Sequence, residues 1–217
     1  MQPERKMIMG IDLRVIQDII DVARRLDDKG LVNAFEGNVS VKKDGYLYIT
    51  PSGKSKVTLT PEKICVFDES GKQISGIFEP SSELKMHRAV YEMRDNIGGI
   101  VHAHPAFLTA YAMCGKPLES KCHAEMIWDH KVIEVAPYGR PGSDDIYKGV
   151  KPILDKGRDL LLLANHGVLS VGTDVFAALN KLESVENAAK ILTIAKIVGD
   201  GKYADLPEEE VAALMSL

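Results

Sequence analysis

Residues 38–50 read NVSVKKDGYLYIT, and the fold turns on how that stretch is interpreted. Apolar and polar residues alternate on both sides of Asp44-Gly45, a pair that supplies the positive φ of a tight turn, so the stretch predicts an antiparallel hairpin. KICVFD (63–68) and KQISG (72–76) flank Glu69-Ser70-Gly71 in the same way. Upstream, Leu13, Ile16, Ile19, Ile20, Ala23 and Leu26 fall on one helical stripe between Asp12 and Lys29, and Gly30 sits where a C-cap glycine belongs. The first third therefore reads as one amphipathic helix followed by antiparallel strands.

Beyond Pro80 the periodicity changes. Residues 81–94 are helical in pattern, 97–105 form a strand, 106–115 a short helix and 131–139 a strand. Residues 142–157 are helical with a break expected at Pro152, because proline removes an N–H donor and crowds the preceding turn. DLLLLANHGVLSVG (159–172) gives one or two strands. Residues 174–199 form a long helix with Asp174 placed to cap it, and 205–217 a short terminal helix. The sum is an α/β chain with helices packed on a largely antiparallel sheet, expected to be a single domain over 1–217.

Of the 217 residues, 45% are hydrophobic and 27% charged, enough apolar content for a core, and the net charge is −4. Charges of both signs are interspersed, which argues against a nucleic-acid partner. The longest apolar run, LLLLA (160–164), is too short to span a bilayer, and the first ten residues lack an apolar signal core, so no membrane association and a cytoplasmic location are expected. Cys65, Cys114 and Cys122 lack C-x-x-C spacing and read as ordinary core thiols.

Two groups of residues carry chemistry. In VHAHP (101–105), His102 and His104 are two apart on a strand and face the same way, so one ion can bind both. His166 follows a buried apolar strand and precedes a glycine that permits close backbone approach, which supplies a third imidazole. Three histidines with an open position suit a catalytic zinc. The second group is anion-binding in character: Ser81, Ser82 and Glu83 follow Pro80 at a helix start, and TPSGK (50–54) and EGNVS (36–40) are turns rich in donors, Gly53, Ser52 and Asn38 among them. Taken singly, each of these residues also suits a cap, a turn or a satisfied loop. Glu83 in a first helical turn favours the dipole, and beside a metal it becomes a base. His87, one turn later on the same face, either orients Glu83 or packs.

GNVS (37–40), ITPSGK (49–54), SSE (81–83), HAHP (102–105) and NHG (165–167), in this order and at these intervals, resemble the class II aldolase family, which includes L-fuculose-1-phosphate aldolase and L-ribulose-5-phosphate 4-epimerase. The resemblance covers about Asp12 to Gly199. It implies a three-layer α/β/α fold with a central, mainly antiparallel sheet, and a homotetramer with active sites between subunits. It implies zinc, or else manganese or cobalt, held by His102, His104 and His166, with Glu83 as a further ligand that swings away and acts as acid/base. Asn38, Ser52, Gly53, Ser81 and Ser82 would hold a sugar phosphate.

The chemistry so implied is cleavage of a ketose 1-phosphate to dihydroxyacetone phosphate and an aldehyde through a metal-stabilised enediolate, with Glu83 moving the proton. A glutamate at position 83, where the epimerases carry aspartate, points to the aldolase branch. On the aldehyde side the pattern differs: Ala124 follows His123 where the fuculose-phosphate aldolase has a catalytic tyrosine, and Pro141 replaces an aromatic. Glu125, Tyr138 and Arg140 are available there instead. The other readings of the same site are a sugar-phosphate epimerase, dehydratase or decarboxylase. A reading from a different class is a non-catalytic assembly domain like the head of adducin, which needs no metal.

Overall fold

The computed structural model describes residues 7–8, 10–33 and 35–216. A two-residue pair, β1 (Met7–Ile8) with β2 (Ile11–Asp12), leads into α1 (Leu13–Asp28). Asp12 caps that helix, its Oδ1 accepting from the Arg14 N–H at 2.9 Å while Lys43 Nζ lies 3.0 Å from Oδ2. Gly30 takes φ +66° just past the helix end, the conformation expected of it. The hairpin then forms as β3 (Asn38–Lys43) and β4 (Tyr46–Ile49), with Lys43 opposite Tyr46 and with Asp44 and Gly45 both at positive φ. Two short 3₁₀ turns (Lys56–Thr58 and Pro61–Lys63) connect it to β5 (Cys65–Phe67) and β6 (Gln73–Ser75).

The second half contributes α2 (Leu84–Met93), β7 (Gly99–Ala103), α3 (Ala106–Met113) and β8 (Leu118–Glu119). A π turn over Met126–His130 precedes β9 (Val132–Ile133) and β10 (Val135–Ala136). Then come α4 (Asp145–Lys148), α5 (Lys151–Leu154), β11 (Leu160–Leu163), β12 (Gly167–Gly172), α6 (Val175–Val198) and α7 (Glu208–Met215). Asp174 caps α6 through Ala177 N at 2.8 Å.

Eight strands form the central sheet in the order β10-β11-β12-β7-β3-β4-β5-β6, antiparallel throughout except where β10 runs parallel to β11. Alternation along the strands gives it two apolar faces. Val39, Val41, Val101, Ala103 and Val168 pack with α1, α3 and α6, whereas Ile49, Ile100, Leu161 and Leu169 pack with α2, α4 and α5. The helices thus lie in two layers around the sheet, as expected.

Three details differ from the sequence reading. Residues 131–139 do not form one strand: β9 pairs with β8 in a separate ribbon and β10 joins the main sheet, because the chain changes partner at Glu134. The break in 142–157 falls at Gly149-Val150, and Pro152 sits in the first turn of α5, where its missing N–H needs no partner. Cys65 is buried, but Cys114 at the end of α3 is exposed rather than in the core.

The start of α3 is tied to α6. Glu186 accepts from the Phe107 and Leu108 N–H groups at 3.0 and 2.9 Å, in place of the capping side chain that Pro105 lacks. Glu186→Ala strands both donors and should lower stability by about 1–2 kcal/mol in urea unfolding, with Glu186→Gln losing less. A midpoint equal to wild type in the alanine variant would show that the carboxylate is not what holds this helix start.

Candidate metal centre

His102 lies near the end of β7, opposite Asn38 of β3 and Leu169 of β12, at the middle of the sheet. His104 follows two residues later and, as the strand period requires, turns to the same side: its Nε2 is 3.1 Å from His102 Nε2. His166 arrives from the loop joining β11 to β12, its ring centroid 4.7 Å from that of His102 and 5.0 Å from that of His104. Two features bend that loop inward. Asn165 takes φ +54°, and Gly167 has no room for a side chain, since a Cβ there would stand 2.4 Å from His104 Cδ2 and 2.6 Å from the Ala103 carbonyl oxygen. The three imidazoles offer nitrogens within 4.8 Å of one another.

The outward nitrogens are held differently. His102 Nδ1 donates to the Val168 carbonyl at 2.8 Å, and His104 Nδ1 faces Glu36 Oε2 at 3.2 Å. His166 Nδ1 is buried with no hydrogen-bond partner among the described residues. Burial, followed by the charge of His102, lowers the His166 pKa to about 4, and the same two causes lower that of His104. Both rings are therefore neutral near pH 7, the form that ligates a metal.

Glu83 comes from the turn before α2 and is only 5% exposed. Its Oε2 sits 3.0 Å from His102 Nε2 and accepts from Asn38 Nδ2 at 2.8 Å, while Oε1 lies 3.6 Å from His166 Nε2 and has no hydrogen bond within the described residues. Burial pushes its pKa up, but His102, the Asn38 amide and His166 outweigh that and hold the carboxyl well below its ordinary range. The same carboxylate raises the pKa of His102 against the effect of burial. A buried carboxylate oxygen without a donor, facing imidazole nitrogens, is a donor set that fits a divalent cation.

The anion-binding candidates also converge. Pro51 and Pro80 form an antiparallel bridge, with Ser52 N–H donating to the Glu79 carbonyl at 3.0 Å and Ser81 N–H to the Thr50 carbonyl at 3.1 Å. Ser52, Gly53, Ser81 and Ser82 are thereby brought onto adjoining turns, and the Thr50 hydroxyl accepts from Val39 N–H at 3.2 Å, which fastens them to β3 beside Asn38. Ser52, Gly53 and Ser82 are exposed; Ser81 is buried and its hydroxyl accepts from the Glu83 N–H at 3.2 Å.

The His87 ring reaches Asn38 Oδ1 and not the Glu83 carboxylate, although its backbone N–H donates to the Glu83 carbonyl at 3.2 Å. Sequence reasoning also missed Glu36, whose approach to His104 depends on the turn at Gly37 (φ +71°) folding the loop over His102. Of the residues named for the aldehyde side, Glu125 pairs with His123 at 3.4 Å and Tyr138 is largely exposed. Their segment runs back past the second cluster, where Lys85 meets Asp144 at 3.3 Å.

Residues 17–193 match the family model described as Class II Aldolase and Adducin N-terminal domain. The chain belongs to that family. L-fuculose phosphate aldolase of Methanococcus maripaludis is 34% identical over 177 residues, covering 81% of this chain and 94% of the relative. The 5-methylthioribulose-1-phosphate/5-deoxyribulose-1-phosphate aldolase of Rhodospirillum rubrum is 31% identical, covering 83% and 81%. A solved L-fuculose 1-phosphate aldolase superposes with a TM-score of 0.84 at 32% identity over 95% of this chain and 96% of that one. Family membership with these relatives supports an enzyme, a carbon–carbon lyase acting on sugar phosphates. Among the described residues, no helix is long and apolar enough to cross a membrane.

Proposed function

We propose that the protein is a metal-dependent aldolase that cleaves a short or deoxy ketose 1-phosphate to dihydroxyacetone phosphate and an aldehyde. The observation that carries this reading is the buried carboxylate of Glu83 beside three converging histidines. His102, His104 and His166, with Glu83 as a fourth ligand in the resting protein, would hold zinc, or manganese or cobalt in its place. When bound, such a cation supplies Lewis-acid polarisation of a carbonyl and its neighbouring hydroxyl.

The remaining work falls to the chain. Glu83 Oε2 is already engaged by Asn38, so Oε1 is the oxygen that would take the proton from C3 of dihydroxyacetone phosphate in condensation and return it in cleavage. Ser52, Gly53, Ser81 and Ser82 would receive the phosphate, joined by the second Nδ2 hydrogen of Asn38. The shared sheet with a helical layer on each face supports reading the chain as one domain. An exposed apolar row on α6, Ile191, Ile194 and Ile197, offers a surface for contact between copies; the enzyme so proposed is a cytoplasmic homotetramer.

The test is condensation of dihydroxyacetone phosphate with lactaldehyde, glycolaldehyde and acetaldehyde in the presence of added divalent metal, with products identified by NMR. A product with one aldehyde is expected; none with any would overturn the reading. Glu36 offers a narrower check, because a carboxylate on the far nitrogen of a ligating imidazole fixes its tautomer and strengthens it as a ligand. Glu36→Ala should weaken zinc binding about 10-fold to 100-fold in chelator competition. Unchanged affinity would show that His104 needs no such support.

A further inference from the structure

We infer that His87 is a positioning residue, which fixes the Asn38 carboxamide through a buried hydrogen-bond chain so that its NH₂ faces Glu83. Five polar side chains lie in line between the sheet and α2. Tyr91 OH is 2.8 Å from Ser40 Oγ, Ser40 Oγ is 2.6 Å from His87 Nδ1, His87 Nε2 meets Asn38 Oδ1, and Asn38 Nδ2 reaches Glu83 Oε2 at 2.8 Å. Ser40 and His87 are wholly inaccessible to solvent and Tyr91 almost so, which leaves the chain to satisfy itself.

With the His87 ring neutral, as its complete burial requires, donor and acceptor rules fix every proton. An ionised carboxylate only accepts, so Asn38 must turn its NH₂ to Glu83 and its carbonyl oxygen to His87. That oxygen only accepts, so His87 carries its proton on Nε2 and presents a bare Nδ1 to the Ser40 hydroxyl. Ser40 donates to it and accepts from Tyr91. Reversing the Asn38 amide would set its oxygen against the carboxylate and break the order at each step, at a cost made high by the low dielectric around it. The chain therefore holds Oε2 in place and leaves Oε1 free. Burial lowers the His87 pKa to about 3, which agrees with a neutral ring.

The functional side of this inference rests on Glu83 as the acid/base, whereas the proton order does not. Nitrogen NMR of the zinc-loaded 217-residue chain should report His87 with a protonated Nε2 and a bare Nδ1, and an Nδ1–H tautomer would overturn the inference whatever the reaction. Exchange of the C3 proton of dihydroxyacetone phosphate with D₂O then reads the positioning. His87→Leu should slow exchange about 10-fold to 100-fold, and His87→Gln, which keeps a donor for Asn38, should recover most of it. Equal rates in the two variants would overturn a positioning role. If the leucine variant does not fold, Ser40→Ala should slow exchange about fivefold, and a wild-type rate there would count against the inference. Absence of exchange in the wild-type protein would instead remove the aldolase reading and leave the tautomer as the test of the chain.

Discussion

Stripping divalent metal from the protein with a chelator should lower the condensation rate on the order of 10³-fold, and adding zinc, manganese or cobalt should restore it. Charge that develops on a carbonyl oxygen is stabilised by a cation held beside it, and several kcal/mol of barrier would depend on that ion. The described residues put three imidazole nitrogens where that charge would appear. The fold should survive the treatment, because the centre lies at the edge of two apolar layers that are complete without it. Far-ultraviolet circular dichroism should therefore stay constant as activity disappears. His166→Ala should reproduce the loss and resist rescue by micromolar metal. Chelated protein that is demonstrably metal-free and still fully active would remove the proposed chemistry.

Glu83→Gln should reduce kcat by about 10²-fold to 10⁴-fold, the range a misplaced or missing general base produces. The amide is close in shape to the carboxylate but cannot carry the proton. Three imidazoles remain for the metal, so elemental analysis should still find a bound ion. Because His102, the Asn38 amide and His166 outweigh the burial penalty on this carboxylate, the variant should melt below wild type when both are metal-free. A kcat within a few-fold of wild type would transfer the proton step to some other residue.

What the sequence made legible follows from the range of the physics involved. The stripe of α1, the Asp44-Gly45 turn, the cap of α6 and the facing of His102 and His104 are set by neighbours a few residues away, and each was readable. The parallel pairing of β10 with β11 and the division of residues 131–139 between two sheets depend on which strand arrives alongside, and no local period encodes that. The π turn over Met126–His130 breaks the 3.6-residue period and left no pattern to follow. Within the site, the types of residue were visible but their partners were not. The sequence leaves His87 open to orienting Glu83 or to packing, and its contact with Asn38 requires the β3–β7 register and the seating of α2 on it. Glu36 escaped notice because a glutamate before a glycine carries no signal of its own.

The sheet is asymmetric in its chemistry, and that divides the molecule for anyone who would alter it. Toward α1, α3 and α6 its central strands present aliphatic groups, which tolerate exchange for others of similar bulk. Toward α2, among further aliphatic groups, they present the Asn38 amide and the Ser40 hydroxyl, both bonded to the His87 imidazole of that helix, and there even a shape-preserving swap orphans a neighbour. Efforts to harden the protein against heat belong on the first side, and random mutagenesis should return survivors unevenly between the two.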